Sequence, residues 1–345
     1  MIPDDFDPDG IGIANGNYFG LPFTPEQSAL VLVSVPWDVT TSYGGGASFA
    51  PDAIIEASTQ VDLYDVHHPG GWKKGIGTVG IDYSIQDRSA FLRPEARCVI
   101  NHLEQGDDPT TEALRRKVAR INEASEVLNE EVYRECARWI AVGKTVGLVG
   151  GDHSTPLGAI RAAAEKHPGV GVLHIDAHAD LRERYEGFEY SHASIMYNVM
   201  TIVPGIGKLV QVGLRDMCDA EVEFAAADPR IAQFTDYAIN DELFRGADWN
   251  AVCERIVAAL PADVYISFDI DGLSPDLCPH TGTPVPGGIT FHQAVYLLDA
   301  VARSGRRIVG FDLTEVSPDR DSEWDANVGA RMLYKLCNIT LKTGS

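Results

Sequence analysis

The sequence is short of three features: paired cysteines, long apolar runs and positive charge. Its six cysteines are scattered with no short spacing between any two, so neither a zinc knuckle nor a disulfide framework is predicted. No apolar stretch is long enough to cross a bilayer, and the acidic start lacks the basic and apolar segments of a signal peptide. These absences predict a protein of the reducing cytoplasm.

The charge balance is strongly acidic. Lys and Arg number 28 against 50 Asp and Glu, for a formal net charge of −22. Such a field repels polyanions, so neither nucleic acid nor an anionic membrane is expected as a partner, whereas a small cationic substrate would be attracted. Solubility alone explains the charge equally well.

Short apolar runs alternate with segments of helical spacing along most of the 345 residues. This alternation predicts one domain, a three-layer α/β/α sandwich with a mostly parallel central sheet. The polar stretch from residue 82 to about 111 carries no predicted element. Strands are predicted at 29–35, 77–81, 145–149, 169–175, 209–213, 264–269 and 307–313, and helices at 112–142, 249–260, 291–301 and 325–341 and after Pro51 and Pro156.

Residues 1–28 are rich in Asp, Gly, Pro and Asn and are predicted to form an N-terminal arm. The arm would lie over the domain or reach a neighbouring subunit, with Tyr18, Phe19 and Phe23 as anchors.

Residues 40–48 form a glycine-rich stretch. This stretch has neither the Gly-x-Gly-x-x-Gly spacing nor the Gly-Lys-Ser/Thr ending of phosphate-binding loops. It is predicted to be a flexible loop beside the functional site.

The most informative stretch is residues 173–180, Leu-His-Ile-Asp-Ala-His-Ala-Asp, at the end of a predicted buried strand. In extended backbone Asp176, His178 and Asp180 would point to one side and converge. Two carboxylates and an imidazole gathered there are costly without a cation, which predicts a metal site. A solvated turn rich in Asp is the alternative.

Two other strand ends carry similar side chains: His153 follows one, and Asp269 and Asp271 end another. Because carboxyl ends of parallel strands share one edge, these groups are expected to meet the first cluster. Four carboxylates and two imidazoles are too many for one tetrahedral zinc, and they fit two divalent metals roughly 3.5–4 Å apart that lower the pKa of a shared water. The six candidate ligands are His153, Asp176, His178, Asp180, Asp269 and Asp271.

Five segments in order resemble the motifs of the ureohydrolase family, which contains arginase, agmatinase and their relatives. They are residues 150–154, 176–180, 267–275, 279–288 and 312–318, and the resemblance extends from about residue 29 to the C-terminus. It implies an arginase-like catalytic domain at 29–345 that hydrolyses a guanidino compound to urea and an amine. It also implies two divalent metals, manganese first and nickel second, and a trimer or hexamer.

The resemblance assigns a role to each candidate. One metal would take His153, Asp176, Asp180 and Asp269, and the other Asp176, His178, Asp269 and Asp271, with Asp176 and Asp269 bridging. His192 matches the histidine proposed to pass a proton to the leaving amine, and Glu315 matches the carboxylate that pairs with the guanidinium, with Asp312 as support. Without the family, His192 is better explained as a loop histidine paired with a neighbour. Glu315 and Asp312 are then equally explained as an ion-pair partner and a loop cap.

The substrate is less sharply indicated. After Asp180 the arginase pattern has an Asn and a Ser-Gly-Asn run, whereas residues 181–184 here are Leu-Arg-Glu-Arg, closer to agmatinase-type members. The distal amine of agmatine would then pair with one of three acids, unless these are solvated loop charges. The three are Glu183, Glu186 and Glu189.

Other chemistries stay open at this stage. Arg182 and Arg184 favour a guanidino acid, and guanidine or an alkylguanidine fits if the arm aromatics, Trp37 or Tyr43 fill the outer pocket. Arginase activity, a single-zinc deacetylase of the same fold and a non-catalytic subunit are further alternatives. The complete set of six ligands argues against the last two.

Overall fold

The computed structural model of the chain describes residues 2–3, 6–106, 108 and 111–344. Eight strands form one sheet in the order β2-β1-β3-β8-β7-β4-β5-β6, and every pairing between them is parallel within the described ranges. The strands are β1 Leu30–Ser34, β2 Ile76–Thr78, β3 Thr145–Val149, β4 Val170–Ile175, β5 Ile206–Val212, β6 Ile231–Phe234, β7 Asp263–Asp269 and β8 Arg307–Thr314.

Helices cover both faces of the sheet, which confirms the predicted three-layer architecture. Side chains of the first helix and of the last four pack in one apolar cluster, and those of the second to the sixth helix pack in the other. None of the described helices is long and apolar enough to span a membrane. The helices are α1 Ala50–Ser58, α2 Tyr83–Glu104, α3 Glu112–Ala141, α4 Leu157–Lys166, α5 Ile195–Ile202, α6 Asp219–Ala227, α7 Asp236–Phe244, α8 Trp249–Ala258, α9 Phe291–Arg303 and α10 Trp324–Thr343.

The polar stretch after residue 82 is a long helix, α2, which the sequence did not predict. Asp82 caps it by accepting a hydrogen bond from the Ser84 backbone N–H, and Pro94 lies inside it. A narrow stripe of side chains, including Leu92, Val99 and Ile100, is buried while the rest of the surface is polar. So narrow a stripe gives weak periodicity in a charged segment, which explains the missed helix.

The N-terminal segment joins the core. Tyr18, Phe19 and Phe23 are buried in the first apolar cluster. The Tyr18 hydroxyl lies 2.9 Å from the Ser34 hydroxyl at the end of β1, and the Phe19 ring packs edge-on against Tyr334 with centroids 4.8 Å apart. These aromatics therefore cannot fill an outer substrate pocket, and the division into an arm at 1–28 and a catalytic domain at 29–345 stays a prediction.

The strand order determines where the functional groups lie. Strands β3, β8, β7 and β4 are adjacent in the middle of the sheet. His153 follows β3, Glu315 follows β8, Asp269 ends β7 and Asp176 follows β4. Four chain segments far apart in sequence thus deliver their side chains to one stretch of the carboxyl edge, where parallel α/β sheets bind ligands.

Candidate active site

The segment after β4 is not extended, contrary to the expectation for residues 176–180. The strand ends at Ile175, His178 forms an isolated parallel bridge with Asp216, and Asp180 adopts a left-handed backbone with φ 53°. A left-handed non-glycine residue is strained and is held by its surroundings. The three side chains still approach each other, through a tight turn rather than through strand alternation.

Three carboxylates converge on one ring nitrogen. His153 Nδ1 lies 3.0 Å from Asp176 Oδ2, 3.1 Å from Asp180 Oδ2 and 3.2 Å from Asp269 Oδ2. All four side chains are almost fully buried. A ring nitrogen can donate at most one hydrogen, so three carboxylates at this distance do not form a complete hydrogen-bond set. Their arrangement is that of donor atoms gathered around a common centre.

The far side of the His153 ring determines which nitrogen carries its hydrogen. Ser267 Oγ donates to Asp312 Oδ1 at 3.0 Å and lies 2.9 Å from His153 Nε2. Because the hydroxyl hydrogen is directed at Asp312, the hydroxyl oxygen accepts from Nε2–H. In neutral His153 this leaves the Nδ1 lone pair facing the three carboxylates, which is the tautomer that a metal ligand needs. Asp312 therefore supports His153 through Ser267.

A second group of donors lies beside the first. His178 Nδ1 is 3.1 Å from Asp271 Oδ2 and 3.4 Å from Asp176 Oδ1. Asp176 thus presents one carboxylate oxygen to each histidine. Asp269 differs, because its Oδ1 accepts a hydrogen bond of 2.9 Å from the Asp271 backbone N–H. The sequence-predicted ligands fall into two adjoining groups that share Asp176.

The sequence analysis did not assign a role to one buried histidine of this region, His174. His174 Nε2 lies 2.8 Å from Asp176 Oδ2, and Gln211 Nε2 donates to His174 Nδ1 at 2.9 Å. The Gln211 donor requires the Nε2–H tautomer, so His174 donates to Asp176 and orients it. A histidine in an otherwise apolar strand, two residues before an aspartate, was the signal that could have found it.

The electrostatics of the two groups indicate a deficit of positive charge. Burial, and then the neighbouring Asp176, raises the pKa of Asp180 to about 6. Burial, and then Asp271, raises the pKa of Asp269 well above its usual range. Burial opposes the charged form of His178, but Asp271 and Asp176 outweigh it and raise its pKa to about 12. Crowded buried carboxylates with imidazole donors fit divalent cations, which would neutralise them.

Glu315 lies next to the two donor groups, and its own backbone is in the strained left-handed region, with φ 62°. Its Oε1 accepts a 2.8 Å hydrogen bond from the His153 backbone N–H, whereas its buried Oε2 has no partner among the described residues. Burial, followed by the charge of Asp152, raises the pKa of Glu315 well above its usual range. A buried carboxylate oxygen without a hydrogen-bond partner lowers the free energy of unfolding. A bound cationic ligand would remove that penalty.

His192 is buried near His178. Its backbone N–H donates to Thr40 Oγ1 at 3.2 Å, and its Nε2 lies 3.4 Å from Ser42 Oγ. Burial, then the neighbouring His178 and Arg93, lowers the pKa of His192 to about 3. The imidazole is therefore neutral at pH 7. The glycine-rich segment 40–48 lies beside the site, as predicted.

A cavity of about 480 Å³ opens next to these groups. None of the three acids predicted for a distal amine lines it, since Glu183 is exposed elsewhere and Glu186 and Glu189 line a separate cavity. Trp37 is buried away from it. Within the loop that carries these acids, Arg182 and Tyr185 line the cavity, whereas the three acids do not. The lining residues are Ser42, Tyr43, His178, Asp180, Arg182, Tyr185, His192, Ala193, Asp216, Glu221, Thr283, Pro284 and Val285.

A family model described as the arginase family matches residues 28–338. The chain belongs to the arginase family. It is 33% identical over 302 residues to an N(1)-aminopropylagmatine ureohydrolase of Thermus thermophilus, covering 87% of each chain. It is 27% identical over 305 residues to the agmatinase of Bacillus anthracis, covering 88% of this chain and 89% of the relative.

Solved structures agree on the arginase-family fold. The agmatine ureohydrolase of Thermoplasma volcanium superposes with a TM-score of 0.69 at 22% identity, covering 98% of this chain and 96% of the other. The proclavaminate amidino hydrolase of Streptomyces clavuligerus gives 0.72 at 23% identity, covering 97% and 99%. At these identities the likeness concerns the fold alone. The carboxyl-edge cluster of His and Asp can hold divalent metal ions, as expected for an arginase-family enzyme.

Proposed function

We propose that this protein hydrolyses the guanidino group of a small compound to urea and an amine, with two divalent metal ions at the carboxyl edge of the sheet. The observation that carries the proposal is the pair of adjoining donor groups that share Asp176. In the proposal one ion takes His153, Asp176, Asp180 and Asp269, and the other takes Asp176, His178, Asp269 and Asp271.

When bound, such ions supply Lewis acidity and activate water as a nucleophile at neutral pH. The protein's part is to hold the donors in place. Ser267 and Asp312 fix the His153 tautomer, and His174 orients Asp176. The buried environment keeps bulk water away and strengthens each electrostatic contact.

Glu315 is the proposed guanidinium partner. Its free Oε2 adjoins Gly282, where a Cβ would lie 3.2 Å from that oxygen, so only a residue without a side chain leaves the approach open. A guanidinium cation beside Glu315 would stabilise the ionised carboxylate that burial otherwise disfavours. The resulting ion pair orients the planar central carbon for attack.

His192 is the proposed proton carrier. The imidazole is neutral at pH 7, so one ring nitrogen carries no hydrogen and is free to take a proton, and Nε2 is the nitrogen that faces Ser42 in the cavity wall. Water's oxygen joins the central carbon and the C–N bond to the tail breaks. Water gives up two protons: Nε2 carries one of them to the departing nitrogen, and the second ends on the same nitrogen. The products are urea and a protonated amine.

For the substrate we propose a guanidino compound with a cationic tail, as in agmatinase. Asp216 lines the cavity, is exposed, and its carboxylate has no partner among the described residues. The cationic side chain of Arg182 would repel an ammonium group. Its Nε lies 3.7 Å from Glu221 Oε2, however, and this carboxylate partly neutralises the charge of Arg182. The ammonium group at the far end of such a substrate would pair with the Asp216 carboxylate. The relatives' names, agmatinase and aminopropylagmatine ureohydrolase, point to the same class.

A guanidino acid is the second candidate, because of Arg182. Its guanidinium stacks on Tyr185 at 4.7 Å and makes no hydrogen bond within the described part of the chain. Unused donors facing a cavity suit a carboxylate. Guanidine or an alkylguanidine, which has no charged tail, would use neither Asp216 nor Arg182.

A urea-release assay on arginine, agmatine, guanidinobutyrate, guanidine and alkylguanidines separates these candidates. If the substrate has a cationic tail, D216N raises the KM for agmatine and leaves the value for alkylguanidines unchanged. If it is a guanidino acid, R182M raises the KM for guanidinobutyrate instead. Absence of urea from every compound, after loading with manganese or with nickel, would refute the proposed hydrolysis.

Three finer points belong to the same proposal. Manganese is proposed as the working ion with nickel second, because oxygen-rich donor sets accept both. We also propose a trimer or hexamer in the cytoplasm, extending the resemblance to the family. Metal-dependent activity with each ion and light scattering of the purified protein test the first two points.

A further inference from the structure

One loop, residues 273–289, connects the metal-type groups to the substrate cavity. A parallel bridge between Leu273 and Ile289 closes its base. Near its tip the Thr281 hydroxyl donates to the Glu315 backbone carbonyl at 2.9 Å, and the Gly44 backbone N–H donates to the Gly282 carbonyl at 2.9 Å. Residues 283–285 line the cavity itself. The position of this tip therefore shapes one wall of the cavity and the approach to Glu315.

The residue just before the tip is fixed to another element. His280 Nδ1 donates to Asp325 Oδ2 at 2.8 Å, and the His280 backbone N–H donates to Asp325 Oδ1 at 3.0 Å. Asp325 lies in the first turn of α10 and is fully buried, whereas the His280 side chain is 43% exposed. Both carboxylate oxygens thus hold a single residue of the loop.

The surroundings of Asp325 make this contact energetically important. The thiol of Cys278 faces the same carboxylate, and burial followed by the charge of Asp325 raises the pKa of Cys278 well above its usual range. The hydrogen bond to the Asp325 carboxylate raises the pKa of His280 above its usual value. The raised pKa favours the protonated imidazole, which pairs with the carboxylate. A buried carboxylate that loses a hydrogen-bond donor bears the cost of its lost solvation, so the pair resists separation.

We propose that His280 and Asp325 form a latch that positions the loop tip, residues 281–285, against Glu315 and so determines how tightly the guanidino substrate is held. In this proposal His280 is a positioning residue that does not touch the substrate. The inference rests on the proposed function for its kinetic consequence but not for its structural one. It assigns a role to a pair that belongs to neither donor group.

Replacement of His280 tests the latch in two directions. Ala removes the ring donor, whereas Asn places its Nδ2–H close to the position of the imidazole Nδ1–H and can still donate to Asp325. His167 is a matched control: it is a partly exposed histidine whose Nδ1 lies 3.6 Å from Asp263, where β7 begins at the amino edge of the sheet. The three variants are H280A, H280N and H167A.

Hydrogen exchange by mass spectrometry reports on the latch without any need for catalysis. In H280A the peptides covering 278–288 and 40–48 should exchange faster, the second because the Gly44 amide bonds to Gly282. H280N and H167A should exchange like wild type in both peptides. Unchanged exchange in H280A would overturn the latch, whatever the activity of the protein.

Steady-state kinetics then report on the consequence for substrate. H280A should raise the KM for the best guanidino substrate by about threefold or more with a smaller change in kcat, and H280N should restore it. Equal loss of kcat in H280A and H280N would overturn the positioning role. If wild-type protein releases no urea, the proposed function fails, while the exchange comparison still decides on the latch.

Discussion

Asp176 directs its two carboxylate oxygens at two different histidines, with Oδ2 3.0 Å from His153 Nδ1 and Oδ1 3.4 Å from His178 Nδ1. Among the described residues it belongs to both donor groups, whereas Asp269 Oδ2 lies 3.2 Å from His153 Nδ1 in the first group. In the proposed function this carboxylate would join two ions rather than bind one. The proposed chemistry depends on this relationship more than on any other.

Asp176→Asn should therefore reduce binding at both metal positions together. The amide retains the shape but loses the charge, so urea release should fall by more than about 10³-fold and metal content should approach zero. Plasma mass spectrometry of dialysed protein gives the metal content. D263N, at the opposite edge of the sheet, is the control and should bind metal normally. Retention of one full equivalent by D176N would argue against a shared bridge.

Ser267→Ala tests the fixed tautomer of His153. Without the hydroxyl, Nε2–H loses its acceptor and the ring can turn or protonate at Nδ1. Metal affinity should fall by roughly 10–100-fold, the usual effect of removing a group that orients a ligand histidine. Competition titration against a chelator measures this, with S304A at the end of α9 as control. Unaltered affinity in S267A would mean that Ser267 and Asp312 do not orient the ligand.

Glu315→Gln should separate substrate binding from metal binding. Glu315 contacts His153 only through that residue's backbone N–H, so the donor groups should remain intact and metal content should be unchanged. The neutral amide cannot pair with a guanidinium, so kcat/KM should fall by at least about 10²-fold. The heat of guanidinium binding, measured by titration calorimetry, should also disappear. Loss of metal together with activity would instead place Glu315 among the structural supports of the site.

The pH dependence of stability can be tested at Glu186, outside the metal-type groups. Burial, and then the charge of Glu104, raises its pKa from 4.5 to about 7, against a smaller opposing effect of Arg93. The folded state thus binds a proton that the unfolded state has released between these values, so the free energy of unfolding falls as pH rises from 4.5 to 7.

Glu186→Gln should remove that dependence. Relative to wild type it should be unchanged at about pH 4 and more stable at about pH 8 by roughly 1 kcal/mol, a value reduced for solvent screening of a half-buried group. Urea unfolding at both pH values measures the difference. E183Q, on an exposed neighbour, should show none. A variant less stable than wild type at the higher pH would contradict the argument.

The strands and the donor groups were predictable for one physical reason. Buried parallel strands such as Val170–Ile175 and Asp263–Asp269 are short apolar runs, and polar groups directly after them must meet at the carboxyl edge. The predicted strand 145–149 agrees with β3 residue for residue. In these buried strands the apolar composition alone revealed the element.

What could not be predicted depends on contacts between distant segments. The left-handed backbone of Asp180, the interaction of His174 with Asp176 and the latch at His280 arise from neighbours remote in sequence. The acids at 183–189 were plausible for a distal amine because they follow the metal-type cluster, but none of them lines the cavity. Strand β6 and helices α5, α6 and α7 were missed, and of these β6 and α7 are half exposed and carry little apolar signal.

Anomalous diffraction from crystals loaded with manganese or nickel tests the central claim most directly. The account predicts two peaks roughly 3.5–4 Å apart, one beside His153 and one beside His178, with Asp176 touching both. A single peak, or none, with these side chains turned away from each other would contradict it.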